Sequence, residues 1–239
     1  MKIEQAVILV GGRGERLKPL TENIPKPMVP VCGKPFLEYL VLLLKKNGIK
    51  EFLFLAGYLG EKIENYFKDG RKWGVKIEYS FETTPLGTGG AIRLAKERLD
   101  KNFFLLFGDS YLPIDYREMA CEFLNSGKPA SLAVYDNRDD TDVPFNVKLN
   151  KDKKVVAAYN KRKDNPVDFN YCDAGVIAVS KNAIDMIGDE TPVSFEEAIY
   201  PRMIADGNLE YYTAKDRFYD IGTKDRLKIF ESYILKGNK

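Results

Sequence analysis

A chain of 239 residues, 44% hydrophobic and 30% charged, is long enough to bury a sizeable core without disulfide staples. Its 37 Lys and Arg against 35 Asp and Glu leave a net charge of +2, which excludes a field that gathers nucleic acid or an anionic membrane. Histidine is absent, which removes Ser-His-Asp and Cys-His nucleophiles, His-ligated zinc and a His general base, so Lys, Arg and carboxylates must carry any chemistry. In chain order, apolar runs at 6–10, 51–56, 75–80, 103–107 and 130–135 read as strands. Amphipathic stretches at 35–47, 60–67, 87–99 and 116–126 alternate with them as helices. Strands then predominate at 146–149, 155–159 and 174–180, followed by helices at 181–186, 194–205 and 224–235. Ser194 followed by Glu197 has the spacing of a capping box. The alternation predicts an α/β fold, a Rossmann-like mixed, mainly parallel sheet flanked by helices.

Three widely spaced cysteines, Cys32, Cys121 and Cys172, make neither a disulfide framework nor a zinc pattern. No segment has the length of a membrane span and the start MKIEQAVILVGG lacks a long apolar signal region, so a cytoplasmic location is expected. There is no repeat of 20–50 residues. One domain is expected over 1–239, with a seam in the charged turn-rich stretch DNRDDTDVP at 136–144.

The stretch VILVGGRGERLKPLTENIPKPMVP begins where the first strand ends. Gly11, Gly12 and Gly14 let the backbone turn sharply with N–H groups free to meet phosphate. By themselves these glycines fit a structural turn equally well, since there is neither a Walker G-K-[ST] nor a complete Gly-x-Gly-x-x-Gly. Arg16 offers a fork of donors for phosphates, and Lys26 is a point charge set between Pro25 and Pro27. Without the flanking glycines and prolines both would read as solvated surface cations.

With Pro19, Thr21, Met28 and Gly33-Lys34-Pro35, this string resembles the first signature of the sugar-phosphate nucleotidyltransferase (nucleoside-diphosphate-sugar pyrophosphorylase) family. Later landmarks extend the likeness over nearly the whole chain. The resemblance implies the nucleotide-diphospho-sugar transferase type of fold, with a nucleotide-binding half at 1–135, a sugar-phosphate-binding half at 136–222 and a C-terminal helix at 223–239. It also implies transfer of a nucleotidyl group from a nucleoside triphosphate to a sugar 1-phosphate with release of pyrophosphate, of use in making surface polysaccharide precursors. Arg16, Lys26 and Lys161 then stand as catalytic cations, and Asp109 and Asp220 as carboxylates for Mg²⁺. Asp109 ends the apolar strand FFLLFGD, at the carboxyl end where α/β sites assemble, and Asp220 lies in FYDIGT. Either aspartate can alternatively cap a turn or helix.

The run LGTGGA resembles the family's base-recognition stretch, which implicates Glu82, Gly87 and Thr88 beside Gly11, Gly12 and Gly14 in nucleotide binding. Glu82, acceptor-only, suits the imide of uracil or thymine or the N1–H and amino group of guanine. A glycine-rich helix start serves the same residues as well. The sugar phosphate falls to Asn146, Asn160 and Asp173, where loop-structural roles are the alternative. Asn160-Lys161 stands where the family usually has Glu-Lys, which puts the sugar's identity in doubt. The base leans to GTP over UTP or dTTP. No nucleic acid or membrane partner is expected, and association into a homo-oligomer stays open. Rival readings are a cytidylyltransferase for a phosphorylated alcohol and a non-catalytic nucleotide-sugar-binding relative. A glycosyltransferase is disfavoured because the strand ends Gly-Asp-Ser-Tyr, without a second aspartate two places on. No hexapeptide repeats follow Asp220, so the β-helical extension of longer relatives is not expected.

Overall fold

The computed structural model describes residues 2–160 and 168–237. Strand β1 (Gln5–Leu9) opens the chain and is followed by the glycine loop, a two-residue ribbon of β2 (Pro30–Val31) and β3 (Lys34–Pro35), and helix α1 (Phe36–Lys46). Then come β4 (Glu51–Ala56), α2 (Gly60–Phe67), β5 (Lys76–Phe81), α3 (Gly87–Leu94), β6 (Asn102–Phe107), β7 (Ser110–Tyr111), α4 (Tyr116–Ser126) and β8 (Ala130–Tyr135). The second part holds β9 (Val147–Asn150), β10 (Val155–Tyr159), β11 (Cys172–Ser180), α5 (Phe195–Ala205), β12 (Leu209–Thr213), β13 (Tyr219–Asp220) and α6 (Lys224–Leu235).

Nine strands form one sheet in the order β5-β4-β1-β6-β11-β8-β12-β10-β9. β5, β4, β1 and β6 run parallel, β11 runs antiparallel to both β6 and β8, and β12 is parallel to β8. The sheet is thus mixed and mainly parallel, as expected. β11 comes from the second part of the chain yet lies between two strands of the first, so the two parts share a single sheet.

Side-chain alternation along each strand divides the core into two layers. Ala6 and Ile8 of β1 face a layer with Leu40 and Leu44 of α1, Phe67 of α2 and Met119 and Phe123 of α4. Val7 points to the other face, against Ile92 of α3 and Phe195, Ile199 and Met203 of α5. Because both faces are covered, central strands such as NFFLLF of β6 are apolar without alternation. A third cluster, built from Leu17, Val31, Phe36, Tyr111, Ile221 and Phe230, seats α6 over the glycine loop. Full burial of Leu17 alone contributes about 2 kcal/mol, which fixes the loop to α6.

Three expectations need correction. The strand Leu209–Thr213 was not predicted: LEYYT carries a glutamate at its second position, but Glu210 is buried beside Lys154 at 3.8 Å, and β12 fills the gap between β8 and β10. The stretch 181–186 forms 3-10 turns, not an α-helix. The predicted helix 87–99 ends at Leu94, and a 3-10 turn follows at Lys96–Arg98. The cap predicted at Ser194 is present, its hydroxyl accepting the Glu197 N–H at 3.3 Å.

Candidate active site

Parallel pairing brings the carboxyl ends of β1, β4, β5 and β6 to one edge of the sheet, and the loops leaving them wall a cavity of about 620 Å³. Seven sequence-predicted positions lie on its wall: Gly11, Gly12, Lys26, Glu82, Gly87, Thr88 and Asp109. Sequence reasoning missed Gly57 and Tyr58 after β4, Thr83 and Thr84 after β5, and Phe107 at the end of β6. The signal that locates them is the same as for Gly11, a turn directly after a parallel strand.

The glycine loop is held from within. Gly14 has φ +63, and a Cβ there would stand 2.9 Å from Lys26 Cβ and 3.0 Å from Thr21 Cγ2. Thr21 Oγ1 donates to Gly14 O at 2.8 Å. That close packing sets Lys26 in a 3-10 turn, 8% exposed, with its ammonium donating to Asp109 Oδ2. A buried lysine requires such a partner, since an unpaired charge in this setting is costly.

Gly14 and Arg16 do not line the cavity. Arg16 is exposed and lies toward the β7–β13 ribbon, where its Nη2 would be 3.4 Å from a Cβ on Gly222. This ribbon pairs Asp220 with Ser110, and the Ile221 N–H donates to Asp109 O at 3.0 Å, so Asp109 and Asp220 sit on adjacent backbones although 111 residues separate them in the chain (220 − 109). Asp220 accepts the Gly222 N–H at 2.7 Å and Arg226 Nη1 at 3.2 and 3.1 Å. Two carboxylates with lone pairs to spare, next to a cavity that admits phosphates, are a donor set that fits a hard divalent cation completed by phosphate oxygen and water.

Glu82 is packed against the two glycine turns. A Cβ on Gly57 would meet Glu82 Oε1 at 2.6 Å and one on Gly11 would meet it at 3.3 Å. The other oxygen, Oε2, accepts the Leu86 N–H at 3.0 Å, which stabilises the turn into α3. Gly87 has φ +75 and abuts Val193, and the Gly89 N–H donates to Val193 O at 2.8 Å. Thr88 Oγ1 accepts the Phe195 N–H at 2.8 Å and stands 3.3 Å from Glu196 Oε2, so this residue pins α5 to α3 while facing the cavity.

Of the residues expected to meet the sugar phosphate, Asp173 lies on β11, Asn146 just before β9 and Asn160 just after β10. Asn146 Oδ1 accepts the Asp173 N–H at 2.8 Å, and the Asn160 N–H donates to Asn146 O at 2.8 Å. Asp173 accepts the Gly175 N–H at 2.8 Å and the Tyr159 hydroxyl at 3.3 Å. Burial, reinforced by the charge of Glu196, pushes the Asp173 carboxyl up to about 7 against those two hydrogen bonds. Burial also raises the Tyr159 and Tyr200 hydroxyls and pushes the Cys172 thiol up to about 12. A Cβ on Gly175 would lie 2.9 Å from Ser110, so this cluster borders the ribbon that carries Asp109 and Asp220. Lys161 lies outside the described residues.

A glycine-walled cavity at parallel strand ends, flanked by a buried lysine, an arginine and two neighbouring carboxylates, defines a phosphate-handling α/β protein of the nucleotide-diphospho-sugar transferase fold. The chain belongs to the Nucleotidyl transferase family, whose model matches residues 5–236. It is 31% identical over 222 residues to D-glycero-alpha-D-manno-heptose 1-phosphate guanylyltransferase of Aneurinibacillus thermoaerophilus, covering 92% of this chain and 94% of that one. It is 34% identical over 223 residues to mannose-1-phosphate guanylyltransferase of Mycobacterium tuberculosis, covering 92% of this chain but 61% of that longer relative. The crystal structure of HddC from Yersinia pseudotuberculosis complexed with GMP-PN has a TM-score of 0.78 at 26% identity, covering 98% of this chain and 100% of that one. The expected family and enzyme class, a nucleotidyltransferase, are borne out. Among the described residues no helix is long and apolar enough to cross a membrane.

Proposed function

We propose that the chain joins a nucleoside triphosphate, GTP by preference, to a sugar 1-phosphate, releasing pyrophosphate and an NDP-sugar. The observation that carries this reading is the placement of Lys26 and Asp109 together on the cavity wall, with Asp220 on the adjoining ribbon and Arg16 of the glycine loop lying toward it. In the reaction an oxygen of the sugar phosphate attacks the α-phosphorus, the bond from α-phosphorus to the bridging oxygen breaks, and pyrophosphate leaves with that electron pair. The attacking monoester is already anionic at neutral pH, so no general base is needed, in keeping with the absence of histidine. Positioning and charge neutralisation suffice.

The residues divide that work. Backbone N–H groups of Gly11 and Gly12 meet the triphosphate, Arg16 faces the departing pyrophosphate, and Lys26 exchanges Asp109 for a reacting phosphate. Lys161 is assigned to the sugar phosphate. Mg²⁺, held by Asp109 and Asp220, would supply charge neutralisation on the phosphates. Glu82 Oε1, lying between the Gly11 and Gly57 turns, supplies an acceptor for the N1–H or amino group of guanine. The guanylyltransferase names of the two relatives favour the same base. On this reading Asn146, Asn160 and Asp173 contact the sugar, and the product feeds surface polysaccharide synthesis in the cytoplasm.

A matrix of GTP, ATP, UTP, CTP and dTTP against mannose, heptose, glucose and N-acetylglucosamine 1-phosphates, with phosphocholine added, tests this by pyrophosphate release in the presence of Mg²⁺. GTP with a sugar 1-phosphate is expected to give the highest kcat/KM. Turnover with CTP and phosphocholine alone would replace the reading by the cytidylyltransferase. Calorimetric NTP binding without pyrophosphate from any acceptor would replace it by a non-catalytic binder.

A further inference from the structure

Both carboxylates assigned to the metal are already engaged by a cation of the chain itself. Asp109 takes Lys26, which lies on the cavity wall and has a phosphate role of its own. Asp220 takes Arg226, which does not line the cavity and has no part in the reaction as described above. Arg226 stands in the first turn of α6, after the Thr223 cap that accepts its N–H at 3.3 Å. Its Nη1 reaches Asp220 Oδ1 at 3.2 Å and Oδ2 at 3.1 Å. Its Nη2 donates to Asp142 O and lies 3.3 Å from Asp142 Oδ2. One guanidinium therefore joins the Asp220 carboxylate to the segment that follows β8. The two side chains are 17% and 15% exposed, so salt and water screen the pair little.

The charge around Asp220 is unusual for a carboxylate that must receive a divalent cation. A Cβ on Gly222 would be 3.4 Å from Arg16 Nη2 and 3.6 Å from Arg226 Nη1, so a second guanidinium stands near the one that holds Asp220. Counting Lys26 on Asp109 and Asp142 on Arg226, three cations stand among three carboxylates. A divalent ion arriving alone meets no surplus of negative charge and a carboxylate whose two oxygens are both engaged. A triphosphate, with about four negative charges, supplies that surplus and draws the cations toward itself.

We infer that Arg226 is a positioning residue that holds Asp220 in a neutral ion pair until nucleotide arrives, so that the divalent cation enters with the triphosphate and not before it. The inference rests on the reading of Asp109 and Asp220 as the metal carboxylates. An arginine that only tied α6 to the segment after β8 would influence folding and leave metal affinity alone.

Mn²⁺ titration of the full chain without nucleotide, with free Mn²⁺ followed by electron paramagnetic resonance, separates the two. The native chain binds weakly. Arg226→Gln binds about tenfold tighter, because one positive charge and both hydrogen bonds to Asp220 are gone. Arg226→Lys keeps the charge without the fork and gains a smaller factor, about threefold. Adding Asp220→Asn to Arg226→Gln removes the gain. An Arg226→Gln chain with native circular dichroism and unchanged Mn²⁺ affinity overturns the inference, as does a gain that survives Asp220→Asn. If Arg226→Gln does not fold, Arg226→Lys decides alone, and no gain there overturns it. The readout is metal binding, so absence of pyrophosphate release from every substrate pair breaks the proposed function while leaving this result legible.

Discussion

The glycine-walled cavity and the cluster around Asp173 lie close together and are built by different means. The cavity is assembled from the ends of four parallel strands, and the turns at Gly11, Gly12, Gly57 and Gly87 line it together with side chains such as Lys26, Glu82 and Asp109. The Asp173 cluster is assembled from antiparallel strands and the start of α5, and its polar side chains are met within the protein: Asn146 Oδ1 by the Asp173 N–H, Asp173 by the Tyr159 hydroxyl, Glu196 by the Ser194 hydroxyl. Glycine turns at strand ends offer backbone N–H groups to phosphate whatever else the ligand carries. A closed network of side chains selects a particular pattern of hydroxyls, because each unmatched buried group costs about 1–3 kcal/mol. On the proposed reading, general chemistry belongs to the first region and choice of acceptor to the second.

The largest effect that can break this division is on chemistry itself. Asp109→Asn and Arg16→Ala are each expected to lower pyrophosphate release by about a thousandfold, with unchanged circular dichroism. Normal turnover in either variant removes the residue from the reaction.

The next effect belongs to the acceptor side and is read in stability. Unfolded Asp173 ionises near 3.8 whereas the folded carboxyl holds its proton to about 7. Between those values the folded state binds more protons than the unfolded state, so stability falls as pH rises through that window and stays low above it. Asp173→Asn keeps an acceptor for the Gly175 N–H and removes the charge. It is expected to melt roughly 5 °C higher than the parent at pH 8 and no higher at pH 4. An equal shift at both pH values shows that the carboxyl does not titrate there.

Gly57→Ala acts on the nucleotide side alone. The new methyl would stand 2.6 Å from Glu82 Oε1 and must displace that carboxylate. The KM for the preferred nucleoside triphosphate is expected to rise about tenfold, with the acceptor KM unchanged, as for loss of a hydrogen bond to a charged group. A parallel rise in both constants shows that the two regions are not separable.

How much was legible in the sequence follows the same line. Gly11, Lys26 and Asp109 could be read because each lies on a short string next to a strand end, where local chemistry and parallel topology agree. The sheet order could not. Insertion of β11 between β6 and β8 depends on pairings across tens of residues, which hydrophobic alternation does not encode. β12 was invisible because its Glu210 is paired with Lys154, which precedes β10. The same holds for Arg226 on Asp142, and for Thr88 at α5. Those contacts span 84 and 107 residues, and neither partner belongs to a motif that names the other.

The smallest effect tests the hinge between the regions. Ser194 caps α5, accepting the Glu197 N–H at 3.3 Å and donating to Glu196 Oε2 at 2.5 Å. Glu196 stands near both Thr88 on the nucleotide side and Asp173 on the acceptor side. Ser194→Ala removes the cap and is expected to lower stability by about 1 kcal/mol in chemical denaturation. Its kinetic signature is more informative than its size. Glu196 would lose one of its hydroxyl partners, and its charge would then bear more strongly on Asp173, so the acceptor KM should rise while the nucleotide KM holds. A change confined to the nucleotide KM would place Ser194 and Glu196 with the cavity.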